Sequence, residues 1–144
     1  MSGSSASSDD RRAVPLAGGV LAPRGADLVL AEWRDPGGSA DPPRYIAPLH
    51  VHNADDEAWY VLEGVLRFRL GEDTVEATAG GAVTAPRGTP HTYWNPSPEP
   101  ARYLLVMTAR INALIDAIHA LEDRDTAAME AVFAAHDSEL LGWP

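Results

Sequence analysis

His50-Val51-His52 is where residue types and spacing in this chain first offer chemistry. Residues two apart on a strand share a face and lie roughly 6.6 Å apart along the chain, so two imidazoles there can converge on one metal ion. Glu57 comes five residues after His52. On one unbroken strand that odd offset would send its carboxylate to the opposite face, but Asn53-Ala54-Asp55-Asp56 is turn chemistry that resets the phase. The next strand sets Glu57, Trp59 and Val61 on one side and Tyr60 and Leu62 on the other, and Glu63-Gly64 closes it. Later in the chain, Pro86-Arg87-Gly88-Thr89-Pro90 runs into His91, with Asn95 just beyond. Two prolines fix backbone angles and Gly88 permits a conformation closed to other residues. Such a stiff turn delivers a histidine at a strand start, as suits a ligand whose position matters.

The elements that must position these groups are short. Between Ala13 and Arg110, apolar stretches alternate with Gly, Pro, Asn and Asp punctuation. Strands are expected at Asp27–Trp33, Tyr45–His52, Glu57–Leu62, Val65–Leu70, Thr74–Thr78, Ala82–Ala85, His91–Trp94 and Ala101–Ala109, separated by turn residues. Such regular spacing indicates a sandwich or barrel, not a parallel α/β sheet. Beyond Arg110 the period becomes helical: Ile111, Leu114, Ile115, Ile118 and Leu121 form one stripe, and Met129, Val132 and Phe133 another. Asp125 or Thr126 caps the second helix, and Gly142 and Pro144 are the stop signals after it. The expected organisation is a flexible tail over residues 1–12, a β-barrel domain over 13–110 and a helical extension over 111–144, which serves as a lid, a side pack or a dimer surface.

Composition narrows the chemistry. With 144 residues the chain is the size of one domain. Cys is absent, which excludes disulfides, thiolate ligands and cysteine nucleophiles. All eleven basic residues are Arg, so Schiff-base chemistry and a P-loop lysine are excluded as well. A net charge of −10 argues against nucleic acid and against anionic membrane surfaces. No apolar run approaches the roughly 20 residues of a membrane span. The polar, acidic N-terminus has no apolar core of a signal peptide, so a cytoplasmic location is expected.

Taken in order and spacing, the two histidine-bearing stretches resemble the cupin family. Its first motif, Gly-x5-His-x-His-x3–4-Glu-x6-Gly, is matched by His50, His52, Glu57 and Gly64. Its second, Gly-x5-Pro-x-Gly-x2-His-x3-Asn, is matched by Gly80, Pro86, Gly88, His91 and Asn95. Arg44 stands where the first motif has its leading Gly, a departure that alters the approach to the strand. The 15 residues between Gly64 and Gly80 suit small bacterial members. The resemblance covers about 44–110 and implies an all-β fold, a double-stranded β-helix or jelly roll, succeeded here by two short α-helices. It implies one metal ion on His50, His52, Glu57 and His91, and a homodimer whose edge strands a second subunit covers. Three neutral imidazoles and a carboxylate suit divalent Fe, Mn, Ni, Cu, Co or Zn and are too nitrogen-rich for Ca or Mg. Four side chains on a six-coordinate ion leave two positions open, which signals reactivity.

Around these groups, Tyr93 shares the strand face of His91, and Trp59 that of Glu57. Both are candidates to line a cavity and stack on an aromatic substrate, and both fit equally an ordinary barrel core. Tyr93, two residues from a ligand, is the stronger pocket candidate and the one candidate catalytic side chain; Tyr45, Leu105 and Met107 are weaker pocket candidates. Arg67 and Arg69 alternate with Leu66, Phe68 and Leu70 and are expected to face solvent. His136 is either an acid or base at the barrel mouth or a histidine held at a helix C-terminus by the dipole. His119 flanks an apolar stripe and has less to recommend it.

Two classes of function remain. In one, the chain is a metalloenzyme acting on a small aromatic or enolic molecule. Quercetin dioxygenase-like cupins come nearest in the run Glu57-Ala-Trp-Tyr-Val-Leu-Glu-Gly64, while isomerases, lyases and decarboxylases use the same Lewis acid without oxygen. In the other, the barrel is a non-catalytic, metal-dependent binder of small molecules. Fold and ligand set do not choose between them.

Overall fold

A computed structural model describes residues 13–144; the tail expected over 1–12 lies outside the described residues. In chain order the elements are β1 (Val20–Leu21), β2 (Leu28–Asp35), β3 (Leu49–His52), β4 (Glu57–Glu63), β5 (Val65–Leu70), β6 (Asp73–Thr78), β7 (Ala82–Ala85), β8 (His91–Trp94), β9 (Ala101–Thr108), α1 (Ala109–His119), α2 (Thr126–Ala135) and β10 (Ser138–Gly142).

The strands form two five-stranded antiparallel sheets, ordered β1-β2-β9-β4-β7 and β10-β3-β8-β5-β6. From β2 to β5 the chain changes sheet at every step, and again between β6 and β7, β7 and β8, and β8 and β9. This is the double-stranded β-helix expected, with two short helices after it.

Period-two patterning decides which side chains turn inward. Along β9, Ala101, Tyr103, Leu105 and Met107 are buried while Arg102, Leu104, Val106 and Thr108 are half-buried. In β5, Leu66 and Phe68 are fully buried and Arg67 and Arg69 are not. Arg67 faces Glu76 across the β5–β6 ladder and bonds it at 2.7–2.9 Å. The core between the sheets is strongly aromatic: Tyr93 stacks on Phe68 with ring centroids 5.5 Å apart, and Trp59 lies 5.1 Å from Phe68.

The helices begin where capping chemistry places them. Thr108 accepts the Ile111 amide at the start of α1, and Asp125 accepts the Ala128 amide at 2.8 Å at the start of α2. Leu114, Met129 and Phe133 form a second small core with Ile118, Leu121, Val132 and Leu140. His136 caps α2, its Nδ1–H donating to the Val132 carbonyl at 2.8 Å, so of its two expected roles it takes the helix-terminal one.

The stretch after α2 departs from the sequence expectation of a purely helical extension. Asp137 takes a positive φ of 54° and turns the chain back into β10, which pairs antiparallel with β3 in the register Ser138↔His52 and Leu140↔His50. Its partner lies far back in the sequence, so no local periodicity announces it. The expected strand over Tyr45–His52 is likewise regular only from Leu49. Tyr45 makes an isolated bridge to Trp94, and Pro48, which has no amide hydrogen, interrupts the ladder. Among the described residues, no helix is long and apolar enough to cross a membrane.

Candidate metal centre

Strand β3 carries His50 and His52 on one inward face, with ring centroids 4.8 Å apart. β8 lies beside it with His91 directly opposite His50, at 4.3 Å between rings. Glu57 opens β4 in the facing sheet, after the chain has turned through Asn53–Asp56, so the reset of phase expected from that turn is what the fold contains. One donor atom from each of His50, His52, Glu57 and His91 lies within 4.8 Å of the others, and all four side chains are buried.

The two motifs lock to each other through their turns. Gly88, at φ +81°, donates its amide to the His52 carbonyl at 2.8 Å. Arg87 clamps the Asp56 carboxylate with its backbone amide and two guanidinium nitrogens at 2.9–3.2 Å, tying the loop before Glu57 to the loop before His91. Asn95 serves structure: it donates to Asp35 and the Glu99 carbonyl and accepts from the Ser97 amide. Arg44, in the place of the missing glycine, reaches the same Asp35 carboxylate and the Gly37 carbonyl, so the departure from the motif is absorbed by an ion pair between an exposed arginine and a buried aspartate.

Hydrogen bonding at the far side of each ring sets its tautomer. His50 Nδ1 donates to the Pro48 carbonyl at 2.7 Å and His91 Nδ1 to the Thr89 carbonyl at 2.9 Å. His52 Nδ1 lies 2.8 Å from Ser138 Oγ, which itself donates to the His136 carbonyl and so accepts from the ring. Each Nε2 is thereby left as a lone pair. His91 Nε2 lies 3.0 Å from Glu57 Oε1 and His52 Nε2 lies 3.3 Å from it. His52 Nε2 is buried without a hydrogen-bond partner. Lone pairs facing a carboxylate in a dry site repel unless a cation stands among them, and one divalent ion would meet all four donors at once. The residues present therefore fit a nitrogen-rich transition-metal site.

The same crowding shifts the acid–base behaviour. Burial, with His91 and His52 adding to it, pushes His50 from its ordinary 6.5 down to about 3, against the opposing pull of Glu57 and the Pro48 carbonyl. In the absence of a metal, a proton on the rings takes the place of the cation: burial favours the neutral Glu57 acid, but the hydrogen bonds and charge that His52 and His91 offer when Nε2 carries that proton prevail and hold the carboxyl at about 2, below its ordinary 4.5. Both groups bind protons less readily folded than unfolded, so the unfolded chain takes up protons in acid and stability falls with pH. The His50 contribution is complete above 6.5 and is lost between there and about 3; the Glu57 contribution is lost between 4.5 and about 2. Metal-free protein held in a chelator is expected to show a Tm that declines steadily below about pH 6.5. In His50→Gln the upper part of that decline should vanish; a parent Tm flat down to the carboxylate range would contradict the shift assigned to His50.

A cavity of about 510 Å3 opens from His50, His52 and Glu57. Trp59, Tyr93 and Leu105 line it. Tyr45 and Met107 do not. Tyr45 packs edge-on against Trp94, 5.3 Å away, and Met107, although inward, is sealed in the core at the end of β9 where α1 departs. Other residues line the cavity as well: Trp33 and Tyr103 from the barrel, Trp143 near the C-terminus, Phe133 from the apolar stripe of α2, and His119, which had little to recommend it in the sequence, with Arg124 around the α1–α2 connection. Trp33 and Tyr103 were findable, since each continues an inward alternation, Val29-Ala31-Trp33 and Tyr103-Leu105. The Tyr93 and Tyr103 hydroxyls bond each other at 2.9 Å, and burial is the first cause that raises the pKa of both.

Residues 38–107 match the cupin domain family, and that span holds all four donors. This chain carries a cupin domain. No curated protein matches it. Among solved structures the cupin is similar to TT1209 of Thermus thermophilus, at 29% identity and a TM-score of 0.51 over 59% of this chain and 75% of that one. It is similar in fold to a sugar phosphate isomerase of a cupin superfamily from Silicibacter pomeroyi (24% identity, TM-score 0.50, covering 58% of this chain and 51%, about half, of that one). A cupin protein from Bacteroides fragilis shares the fold at 15% identity, with a TM-score of 0.51 over 60% of this chain and 69% of that one.

Proposed function

We propose that this cupin is a metal-dependent enzyme of the dioxygenase type, which holds one divalent transition-metal ion on His50, His52, Glu57 and His91 and acts on a small aromatic or enolic molecule. The observation that carries the proposal is the convergence of three imidazole lone pairs and a buried carboxylate at one end of a cavity with largely aromatic and aliphatic walls. Once bound, such an ion supplies a Lewis acid for an enolate or phenolate oxygen and, if redox-active, a means of engaging dioxygen.

The chain's own residues then have defined work. Trp59, Tyr93, Phe133 and Trp33 offer ring faces and edges to a flat substrate and keep water out. Tyr93 and Tyr103, held neutral by burial, present hydroxyl hydrogen bonds, not negative charge. Among the described lining residues, no general base stands free beside the donors: Asp35 is tied to Arg44 and Asn95, and His119 sits at the exposed end of α1. That favours oxygen chemistry over an isomerisation that must shuttle protons. A homodimer and a cytoplasmic location belong to the same proposal.

The test begins with elemental analysis of protein purified without chelator or a nickel column, and continues with oxygen-electrode assays on phenols and enols. Oxygen uptake matching substrate loss is the expected result. Substrate loss that continues unchanged without oxygen would move the protein to the non-redox branch. Tyr93→Phe is expected to keep full metal content while changing KM or kcat several-fold; unaltered kinetics would return Tyr93 to the wall.

A further inference from the structure

His50 and His91 orient themselves locally, since each donates Nδ1–H to the carbonyl two residues earlier in its own strand approach. His52 does not. Its Nδ1 partner is Ser138 Oγ, 86 residues away, on a strand that exists only because α1 and α2 have led the chain back to the barrel. Ser138 is 2% exposed and the one buried residue of β10, directly opposite His52 in the β10–β3 register.

Several contacts fix that serine. Asp137 turns the chain at φ +54°, and its carbonyl accepts the Asn53 amide at 3.0 Å. Arg110, just inside α1, lies 3.5 Å from Asp137 and 3.6 Å from Asp55, joining the segment to the loop between β3 and β4. The Ser138 hydroxyl donates its hydrogen to the His136 carbonyl at 3.2 Å, so what it shows His52 is a lone pair.

We infer that Ser138 is a positioning residue for His52: its hydroxyl holds the proton on Nδ1 and aims Nε2 at the donor cluster, which makes the C-terminal segment part of the metal centre. This rests on the metal site proposed above. Groups that fix the second nitrogen of a metal-binding imidazole typically carry a tenfold to hundredfold share of metal affinity.

The test uses Co²⁺ as the probe, titrated into the full chain and monitored by its d–d absorption, together with long-range 1H–15N NMR of the metal-free protein to read the His52 tautomer. Ser138→Ala is expected to weaken Co²⁺ binding by roughly tenfold to a hundredfold and to turn a single Nδ1-protonated His52 into a tautomer mixture. Ser138→Thr, which keeps the hydroxyl, should restore most of both. Leu121→Ala, in the small core that carries the segment but away from the donors, should lower Tm with little change in Co²⁺ affinity. Unchanged affinity and tautomer in Ser138→Ala would overturn the inference, and so would a Leu121→Ala defect as large as that of Ser138→Ala. If the parent itself binds no Co²⁺, the metal centre falls and this assignment with it, a result plainly distinct from equal binding by parent and variant.

Discussion

His91→Ala and His50→Ala are each expected to yield folded protein that has lost most of its bound transition metal. The two side chains face each other across β3 and β8 and supply half of the four donors. Removing either leaves an incomplete donor set in a buried site, since His91 is 2% and His50 7% exposed. The readout has two parts, because deleting a buried ring also leaves a void and an orphaned carbonyl, which cost stability whether or not metal is present. Metal content by elemental analysis is the first. The second is the rise in Tm on adding metal: an ion at about a thousand times its Kd stabilises the folded state by about 4 kcal/mol, on the order of 10 °C for a domain of this size. The parent should show that increment and both variants should lose nearly all of it, while His119→Ala, outside the cluster, keeps it. Full metal content in both variants would falsify the ligand assignment.

The donors were legible in the sequence because their information is local. His50 and His52 need only a strand, Glu57 only a turn that resets the phase, and His91 only a stiff Pro-Gly-Pro approach. The barrel was legible for the same reason, since alternation along β5 and β9 names the inward residues without knowledge of the partner strand. What stayed hidden depends on pairing across long sequence distances. β10 has no pattern of its own beyond a few residues, and its partner β3 lies on the far side of the whole barrel in sequence. With β10 unseen, Ser138 had no visible task, and the apolar stripes of α1 and α2 fitted a lid, a side pack or a dimer surface alike. In the structure Ile111, Leu114, Met129 and Phe133 wall the cavity, and the Phe133 ring lies 5.5 Å from that of His50. Tyr45 was misplaced because Pro48 ends the regular strand before it; the sequence contains that proline, but not which neighbour Tyr45 would find instead.

Gly64→Ala is expected to damage the fold severely for the sake of one added methyl group. Gly64 closes β4 at φ +78°, where a Cβ is strained in any surroundings, at a cost of about 1–2 kcal/mol. Here the surroundings add to it: that Cβ would collide with the Pro100 carbonyl oxygen and lie 2.9 Å from the Ala101 Cα. Neither atom belongs to a flexible side chain. Ala101 is fully buried and opens β9, the strand between β2 and β4, whose Tyr103 and Leu105 line the cavity. Relief of the clash must shift the β4–β9 ladder, already irregular between Val61 and Glu63, and with it the aromatic core. The expected loss is at least about 3 kcal/mol, a large part of the roughly 5–15 kcal/mol that holds a domain folded. Gly71→Ala separates the two causes. Gly71 also has a positive φ, 61°, but a Cβ there meets nothing within 4 Å, so only the conformational cost remains. Denaturant unfolding should therefore rank Gly64→Ala well below Gly71→Ala. Equal losses would mean that backbone conformation alone, and not the close approach of β9, demands glycine at the end of β4.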